Sequence, residues 1–432
     1  MWLGSNSADY DLWGYLAFGR LFWEADGFPY QDIFAYVPTK EIWVYHEWLT
    51  GALFYPIYKS LGGAGLQLLK YAVGLMTAWF IYLASRKRGA DPLASVLGLF
   101  TAYYLFSAGY KPVRAQVFTF FFYALSIYIL ESAKRDEHWG SLWWLVPIQI
   151  LWCNFHGGFV AGLGIIGLYA LGESLSRRRF WPYAKVLVFS ALVTLINPYG
   201  IKYWEYIIKA VLMPRPEIGE WFSVYTAIKR GLYVNNALYF LCFFIFSSLS
   251  VLWYRKRDLT DILVLGATAY LSFKHIRHIN LFLLSYAVYL PIIFSTLWEA
   301  FKDHPWKLAL GRHLGEKALI SLMACVTVFG TYKFLSGSPF EIKTYSSQDG
   351  AGKAHIYPIG AVEYMKRHNL TGNVLPQFAW GEFIIWTLYP DCRVAMDGRY
   401  ETVYQDNLST EFWNFYNGRD GWRSFLLSTH TT

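Results

Sequence analysis

The sequence predicts an all-α polytopic membrane protein of about ten spans followed by a small C-terminal α/β domain, and three observations carry this reading. First, 55% of the 432 residues are hydrophobic and only 16% charged, with positive mean hydropathy, too little polar surface to cover a globule of this size. Second, apolar runs of about twenty residues recur, the length a helix needs to cross ~30 Å of hydrocarbon. Third, short lysine and arginine clusters sit at the ends of those runs, where such residues set orientation. The formal net charge of +8 is therefore a matter of topology, and no nucleic-acid partner is expected. Cys153, Cys242 and Cys325 fall in apolar runs and only Cys392 in a polar one, so no intradomain disulfide can be drawn in the polar part.

Residues 5–49 hold Asp9, Asp11, Glu24, Asp32, Glu41, Glu47 and His46 among many aromatics. So many acids directly before long apolar segments fit a water-facing loop at a bilayer surface better than a span. Residues 42–59 are apolar but short, interrupted by Pro56 and followed by Gly62, Gly63 and Gly65; they are compatible with crossing the membrane or lying flat on it. Residues 66–85 form a clear span ending in Arg86, Lys87 and Arg88. Residues 92–109 lead to Lys111 and Arg114, and 117–131 return to Lys134 and Arg135. Residues 141–152 make half a span, joined to 159–175 through a polar tip containing Asn154, His156, Gly157 and Gly158. Residues 181–196 stop at Asn197, Pro198, Tyr199 and Gly200, since proline and glycine together punctuate a helix. Residues 202–234 read as a mixed, aromatic-rich connector. Spans at 237–254, 262–273, 281–297 and 318–335 follow, the second ending in the basic tip Lys274, His275, Arg277 and His278. Beyond Ser336 the pattern gives a helix at 359–368, a strand at 374–377, a helix at 381–388 and a strand at 393–396. The domain boundaries expected are 1–64 for the first loop with its juxtamembrane helices, 65–335 for the spans and 336–432 for the tail.

Orientation follows from the basic residues. Loops at 86–88, 134–135, 177–179, 255–257 and 302–317 hold fifteen lysines and arginines, against four in 109–115, 153–157 and 273–280. The first set is expected to be cytoplasmic. If 42–59 does not cross, ten crossings put the first loop and the tail on the outer face together with Asn154, His156, Asn197 and the 274–278 tip.

The motifs ADYDLWGYLAFGR and HEWL in the first loop, then WCNFHGGFVAGL, NPYG, IGEW, RHINLF and GNVLPQFAWGEFIIWTLYPDCRVAMDGRYETVY, cover most of the chain. On these the sequence resembles the GT-C superfamily of polytopic glycosyltransferases, near its bacterial protein mannosyltransferase and aminoarabinose transferase branch. The resemblance implies a polyprenyl-phosphate-linked sugar as donor, and a first-loop aspartate or glutamate as the catalytic or metal-associated group. A helix normally precedes the first outer loop in that superfamily, whereas eight residues precede Asp9 here. The sequence therefore reads either as truncated upstream or as a loop tethered only at its C-terminal end.

Such a transfer needs a base for the acceptor hydroxyl and positive charge for the departing lipid phosphate. Asp9 and Asp11 are the candidates for the first. Leu12, Trp13, Tyr15 and Leu16 recur at helical spacing, so a helix is expected to begin near Asp11 with the acid at its N-terminus. Capping explains Asp11 more fully than Asp9, which favours Asp9 as the base. Glu47 is the further catalytic or metal-binding candidate, and its alternative is a helix-start acid; His46 beside it is a candidate substrate contact. Lys111, Arg114, Lys274, Arg277 and His278 are candidates for the phosphate, with anchoring to lipid headgroups as the alternative. Asn154 and His156 are candidates for a substrate-cavity wall, against tight glycine packing of helices. His275 and His278 have metal-compatible spacing but lack a third ligand. No cofactor follows from these residues, and a divalent cation beside the first-loop acids is the one candidate the resemblance raises.

The expectation is thus a glycosyltransferase of the bacterial inner membrane, with its active site and C-terminal domain outside the cytoplasm. Its partners are the lipid-linked donor, membrane lipid and an unspecified protein, lipid or polysaccharide acceptor. The rival expectation is a non-catalytic membrane subunit that keeps the scaffold and serves a larger assembly.

Overall fold

The computed structural model describes residues 6–110, 112–300, 312–346, 354–355 and 357–429. Lys111 and most of the basic loop at 302–317 lie outside the described residues.

A short helix, α1 (Leu12–Glu24), is followed by irregular chain and then by α2 (Trp48–Lys87), forty residues long. Residues 42–59 are thus no separate element. Their helical part runs on through Pro56 into the span, and the only non-helical residue inside α2 is Gly62, at φ +59° and ψ −153°. That backbone region is open essentially to glycine alone, so the expected break is a kink within one helix.

The bundle continues with α3 (Pro92–Tyr110), α4 (Gln116–Asp136), α5 (Leu145–Phe155), α6 (Val160–Leu175) and α7 (Trp181–Val193). The segment read as a mixed, aromatic-rich connector contains two helices, α8 (Ile201–Leu212) and α9 (Val224–Lys229), separated by a 3₁₀ turn at Gly219–Trp221. Aromatic density hid the amphipathic period of α8, which buries Tyr203 and Ile207 and exposes Ile201, Ile208, Val211 and Leu212. Next come α10 (Val234–Trp253), α11 (Leu259–Lys274), α12 (Ile279–Tyr289) and α13 (Pro291–Ala300). The last two divide the expected span at Pro291, which has no N–H to donate into the helix ladder, although Leu290 before it keeps helical dihedrals and the two form one apolar stretch. A further helix, α14 (Arg312–Ser336), precedes the tail.

Among the described residues, five helical stretches are long and apolar enough to cross a membrane: Trp48–Lys87, Gln116–Asp136, Gly157–Leu175, Val234–Trp253 and Ile276–Leu297. Their burial grades from 78% for Ile276–Leu297 to 22% for Val234–Trp253, so the first runs through the middle of the bundle and the second along its rim.

In the tail, α15 (Ile359–Arg367), β3 (Gly372–Val374), α16 (Gly381–Leu388) and β4 (Cys392–Val394) follow the expected order. β3 and β4 pair in parallel, Gly372 opposite Cys392 and Val374 opposite Val394; β1 (Tyr345–Ser346) and β2 (Ala354–His355) make a separate antiparallel pair. The chain ends in α17 (Tyr400–Val403), α18 (Asp406–Tyr416) and α19 (Arg423–Thr429).

The tail is knitted into the first loop. Ala35 bridges to Val394 and Thr39 to Tyr404, while Trp13 packs edge-on against Phe383 and Tyr357. Arg399 holds the two together. Its guanidinium contacts Asp32, bonds Asp397 Oδ1 and Oδ2 at 2.9 and 2.6 Å, and lies against the Phe34 and Trp43 rings. The Tyr404 hydroxyl donates to the same Asp397 Oδ2 at 2.8 Å.

Candidate active site

Three chain junctions meet at one end of the helices. The first is the entry to α1. Asp11 occupies the N-cap position, yet its carboxylate makes no capping bond; Asp9 Oδ1 instead accepts the Asp11 backbone N–H at 3.1 Å. The capping argument that set Asp11 aside is thereby reversed. A side-chain oxygen does cap this helix start, but it comes from the tail: Gly14 N–H donates to Glu382 Oε2 at 3.0 Å.

The second junction is the short turn before α4, where Arg114 sits. A cation at a helix N-terminus opposes the helix dipole, so something else must hold it there. Three carboxylates do so. Arg114 Nε and Nη2 reach Asp11 Oδ2 at 2.9 and 2.5 Å, Nη1 reaches Glu220 Oε2 at 3.1 Å, and Nε lies 3.5 Å from Asp9 Oδ1.

The third junction joins the Gly219–Trp221 turn to the Ile276–His278 turn between α11 and α12. Ile276 N–H donates to the Phe222 carbonyl at 2.9 Å, pinning one turn to the other. Arg277 Nη1 then pairs with Glu220 Oε1 at 3.2 Å and lies 4.5 Å from the Trp221 ring centre, with Arg215 stacked on the same ring at 4.2 Å.

These junctions enclose a cavity of about 240 Å³ lined by Asp9, Pro112, Arg114, Gln116, Glu220, Tyr233, Asn236, Ile276, Arg277, Ile279 and Asn280. Burial pushes the Asp9 carboxyl up to about 7; Arg114 opposes the rise and Asp11 adds to it. Glu220 goes the other way. Burial would raise it, but Arg114 and Arg277 outweigh that and hold it at about 2. One carboxyl at the cavity wall therefore exchanges its proton near neutrality while the other stays a fixed negative charge.

A second group stands behind Asp11, at the start of α2. Glu47 Oε1 lies 3.2 Å from His156 Nε2 and 3.7 Å from His46 Nε2. Gly158 N–H donates to His156 Nδ1 at 2.8 Å, so Nδ1 is the acceptor nitrogen and Nε2–H points at Glu47. Burial holds His156 well below the usual imidazole range, takes His46 down to about 4 and raises Glu47 to about 8, with Asp11 adding to the last. Both imidazoles are thus neutral, and His46 Nδ1 faces the Tyr206 hydroxyl at 3.1 Å.

Of the residues singled out from sequence, Asp9, Arg114 and Arg277 line the cavity, and Asp11, Glu47 and His156 stand behind it. Lys274 is exposed and outside the lining. The Nδ1 atoms of His275 and His278 face the carbonyls of Trp221 and Leu271 at 2.7 and 3.3 Å. Asn154 is buried among Trp48 and the Ile150 and Ile196 carbonyls, so its amide ties α5 to α2 and to the end of α7. Glu220, Tyr233, Asn236, Asn280 and Gln116 were not anticipated as site residues. The available signal was an acid in IGEW, inside a mixed, aromatic-rich connector between apolar stretches.

The donor set can be tested against a divalent cation. Hard cations draw oxygen ligands to a common point at about 2.0–2.6 Å. Among the described residues, no three histidine, cysteine, aspartate or glutamate side chains converge in this way. Asp11 and Glu220 also converge on a guanidinium. This arrangement does not fit a divalent cation.

No known family profile matches the chain, and no characterised protein matches it by sequence. Solved structures do match. The archaeal oligosaccharyltransferase AglB from Archaeoglobus fulgidus, in complex with an inhibitory peptide and a dolichol-phosphate, superposes with a TM-score of 0.60 over 91% of this chain and 61% of that one, at 12% identity. The chain shares the fold of that structure. The same organism's enzyme in the apo form gives 0.59 at 12% identity, over 92% of this chain and 62% of that one. Tethered to an acceptor peptide containing the NVT sequon, it gives 0.51 at 14% identity, over 92% and 60%. The chain spans about three-fifths of the length of these structures, and the likeness is one of fold.

Proposed function

We propose that this protein is a membrane glycosyltransferase that moves a sugar from a polyprenyl-phosphate-linked donor to an acceptor on the extracytoplasmic face of a bacterial inner membrane. One observation carries the reading: Asp9, from the start of the chain, and Arg277, from far downstream, line the same cavity. A carboxyl that exchanges its proton near pH 7 and a guanidinium lining the same cavity are the two groups such a transfer requires. The GT-C likeness supports it, since one of the matching structures holds a dolichol-phosphate. Ten crossings, with the first loop and tail outside, remain the topology that accords with the basic loops, and the mannosyltransferase or aminoarabinose transferase branch remains the reading of the motifs.

The step is a single displacement. Asp9 takes the proton of the acceptor hydroxyl as its oxygen bonds to the sugar C1. The bond from C1 to the phosphate oxygen breaks, and its electron pair leaves with the lipid phosphate, where Arg277 stabilises the charge. Asp11 and Glu220 hold the guanidinium of Arg114 against this wall, and Glu47 is the second carboxyl within the same electrostatic field.

The test is transfer from a radiolabelled polyprenyl-phosphate sugar by purified protein. Arg277→Ala should weaken turnover about 10- to 100-fold, the worth of one charge-assisted bond of about 1.5–3 kcal/mol. Transfer unchanged by Arg277→Ala contradicts the phosphate assignment. A folded chain that transfers nothing, and co-purifies with partner proteins, supports the non-catalytic subunit instead.

A further inference from the structure

We infer that Arg114 is the resident counter-cation of the carboxylate cluster, taking the place a divalent metal ion would need, and that sugar transfer by this protein is metal-independent. The inference deepens the proposed function, because it says how that site is charged.

The geometry is one of competition for a single position. Asp9, Asp11 and Glu220 come from two distant stretches of sequence, and all three have an oxygen within 3.5 Å of one guanidinium. Asp11 Oδ2 accepts from two of its nitrogens, and Glu220 Oε2 accepts from the third. A divalent ion binding Asp11 and Glu220 together would have to displace this fork, since the fork lies between them. Displacement leaves a guanidinium that is only 22% exposed without its partners, at a helix N-terminus that already disfavours a cation. Among the described residues no three such side chains are placed to hold an ion as they stand, so an ion would need Asp9, Asp11 and Glu220 to close onto the position that the guanidinium fills.

The same geometry separates the two arginines. Arg114 has its donors committed to acids, whereas among the described residues Arg277 gives only Nη1 to an acid, Glu220, and lies along the cavity on the Trp221 face. Arg277 is then the cation left for an incoming phosphate, and Arg114 balances the wall behind it.

The experiment has two arms on detergent-purified full-length protein. In the first, Mn²⁺ is titrated and the free ion is followed by its electron paramagnetic resonance signal. The wild type should leave the signal of free Mn²⁺ undiminished. Arg114→Ala, which uncovers three carboxylates, should remove about one Mn²⁺ per protein, and Arg114→Ala with Asp11→Asn should lose that binding again. Stoichiometric Mn²⁺ binding by the wild type that Asp11→Asn abolishes overturns the inference, as does an Arg114→Ala variant that folds, by its thermal transition, and binds none. In the second arm, transfer by wild type is measured before and after EDTA. Equal rates support the inference, and a loss restored by Mn²⁺ or Mg²⁺ overturns it. Should no donor be turned over under any condition, the glycosyltransferase reading fails while the spectroscopic arm still decides the identity of the cation.

Discussion

Asp9→Asn is expected to lower the turnover number for transfer by about 10²–10⁴-fold, the range general-base catalysis contributes, in a protein that still folds. Amide replaces carboxyl at equal size, so the cavity wall and the bond from the Asp11 N–H to the side-chain oxygen both survive. What is lost is the proton acceptor. The wild-type rate should also carry a signature in pH. A base works when deprotonated, and burial has moved Asp9 to about 7, so the rate should climb tenfold per pH unit below about 7 and level off above it. An aspartate at its ordinary value near 3.9 would give a flat profile over that range. In Asp9→Asn the residual rate should lose this limb. A limb that persists and centres near 8 instead would move the role to Glu47, whose carboxyl is held there by burial and by Asp11.

The second large effect is on stability. Arg399→Ala is expected to destabilise the protein by about 3–5 kcal/mol, the cost of removing one partner from a buried ion pair. Asp32, Asp397 and Arg399 side chains are 1%, 0% and 2% exposed, so water cannot take over from the missing guanidinium. Loss of the contact with the Phe34 and Trp43 rings adds to the effect. The readout is the thermal unfolding midpoint of the purified protein in detergent. Because Arg399 joins the tail to the first loop, the variant should also lose protease protection at the 25–47 segment before the helices unfold. A midpoint within a degree of wild type would mean that the tail and loop are held by their apolar contacts alone.

How much of this was legible beforehand differs by element. The apolar helices were readable to within a few residues, as α10 and α11 show, and so was the order α15, β3, α16, β4 in the tail. Each depends on local pattern alone. The failures came where one local signal masked another. Pro56 and the glycines after it were read as a boundary, but only Gly62 leaves the helix. In the 202–234 segment aromatic residues on both faces concealed α8, and the acid of its following turn, Glu220, went unrecognised.

The site shows the same division. Asp9 and Arg277 were legible because charged groups beside apolar spans are costly and need a reason. Their partners were not, since which acid meets Arg114 depends on contacts across more than a hundred residues of sequence, between Asp11 and Arg114 and between Arg114 and Glu220. The role of Glu382 was hidden for the same reason, 368 positions from the helix start it caps. Sequence supplied candidate charges, and folding chose which of them cancel.

The most direct measurement is an electron cryo-microscopy structure of the full-length protein with a polyprenyl-phosphate bound. The expected result is a phosphate within hydrogen-bond distance of Arg277, in the cavity that Asp9 lines. A phosphate bound at the far ends of the helices, beside Arg88 and Lys134, or on a surface away from both Asp9 and Arg277, would contradict the account.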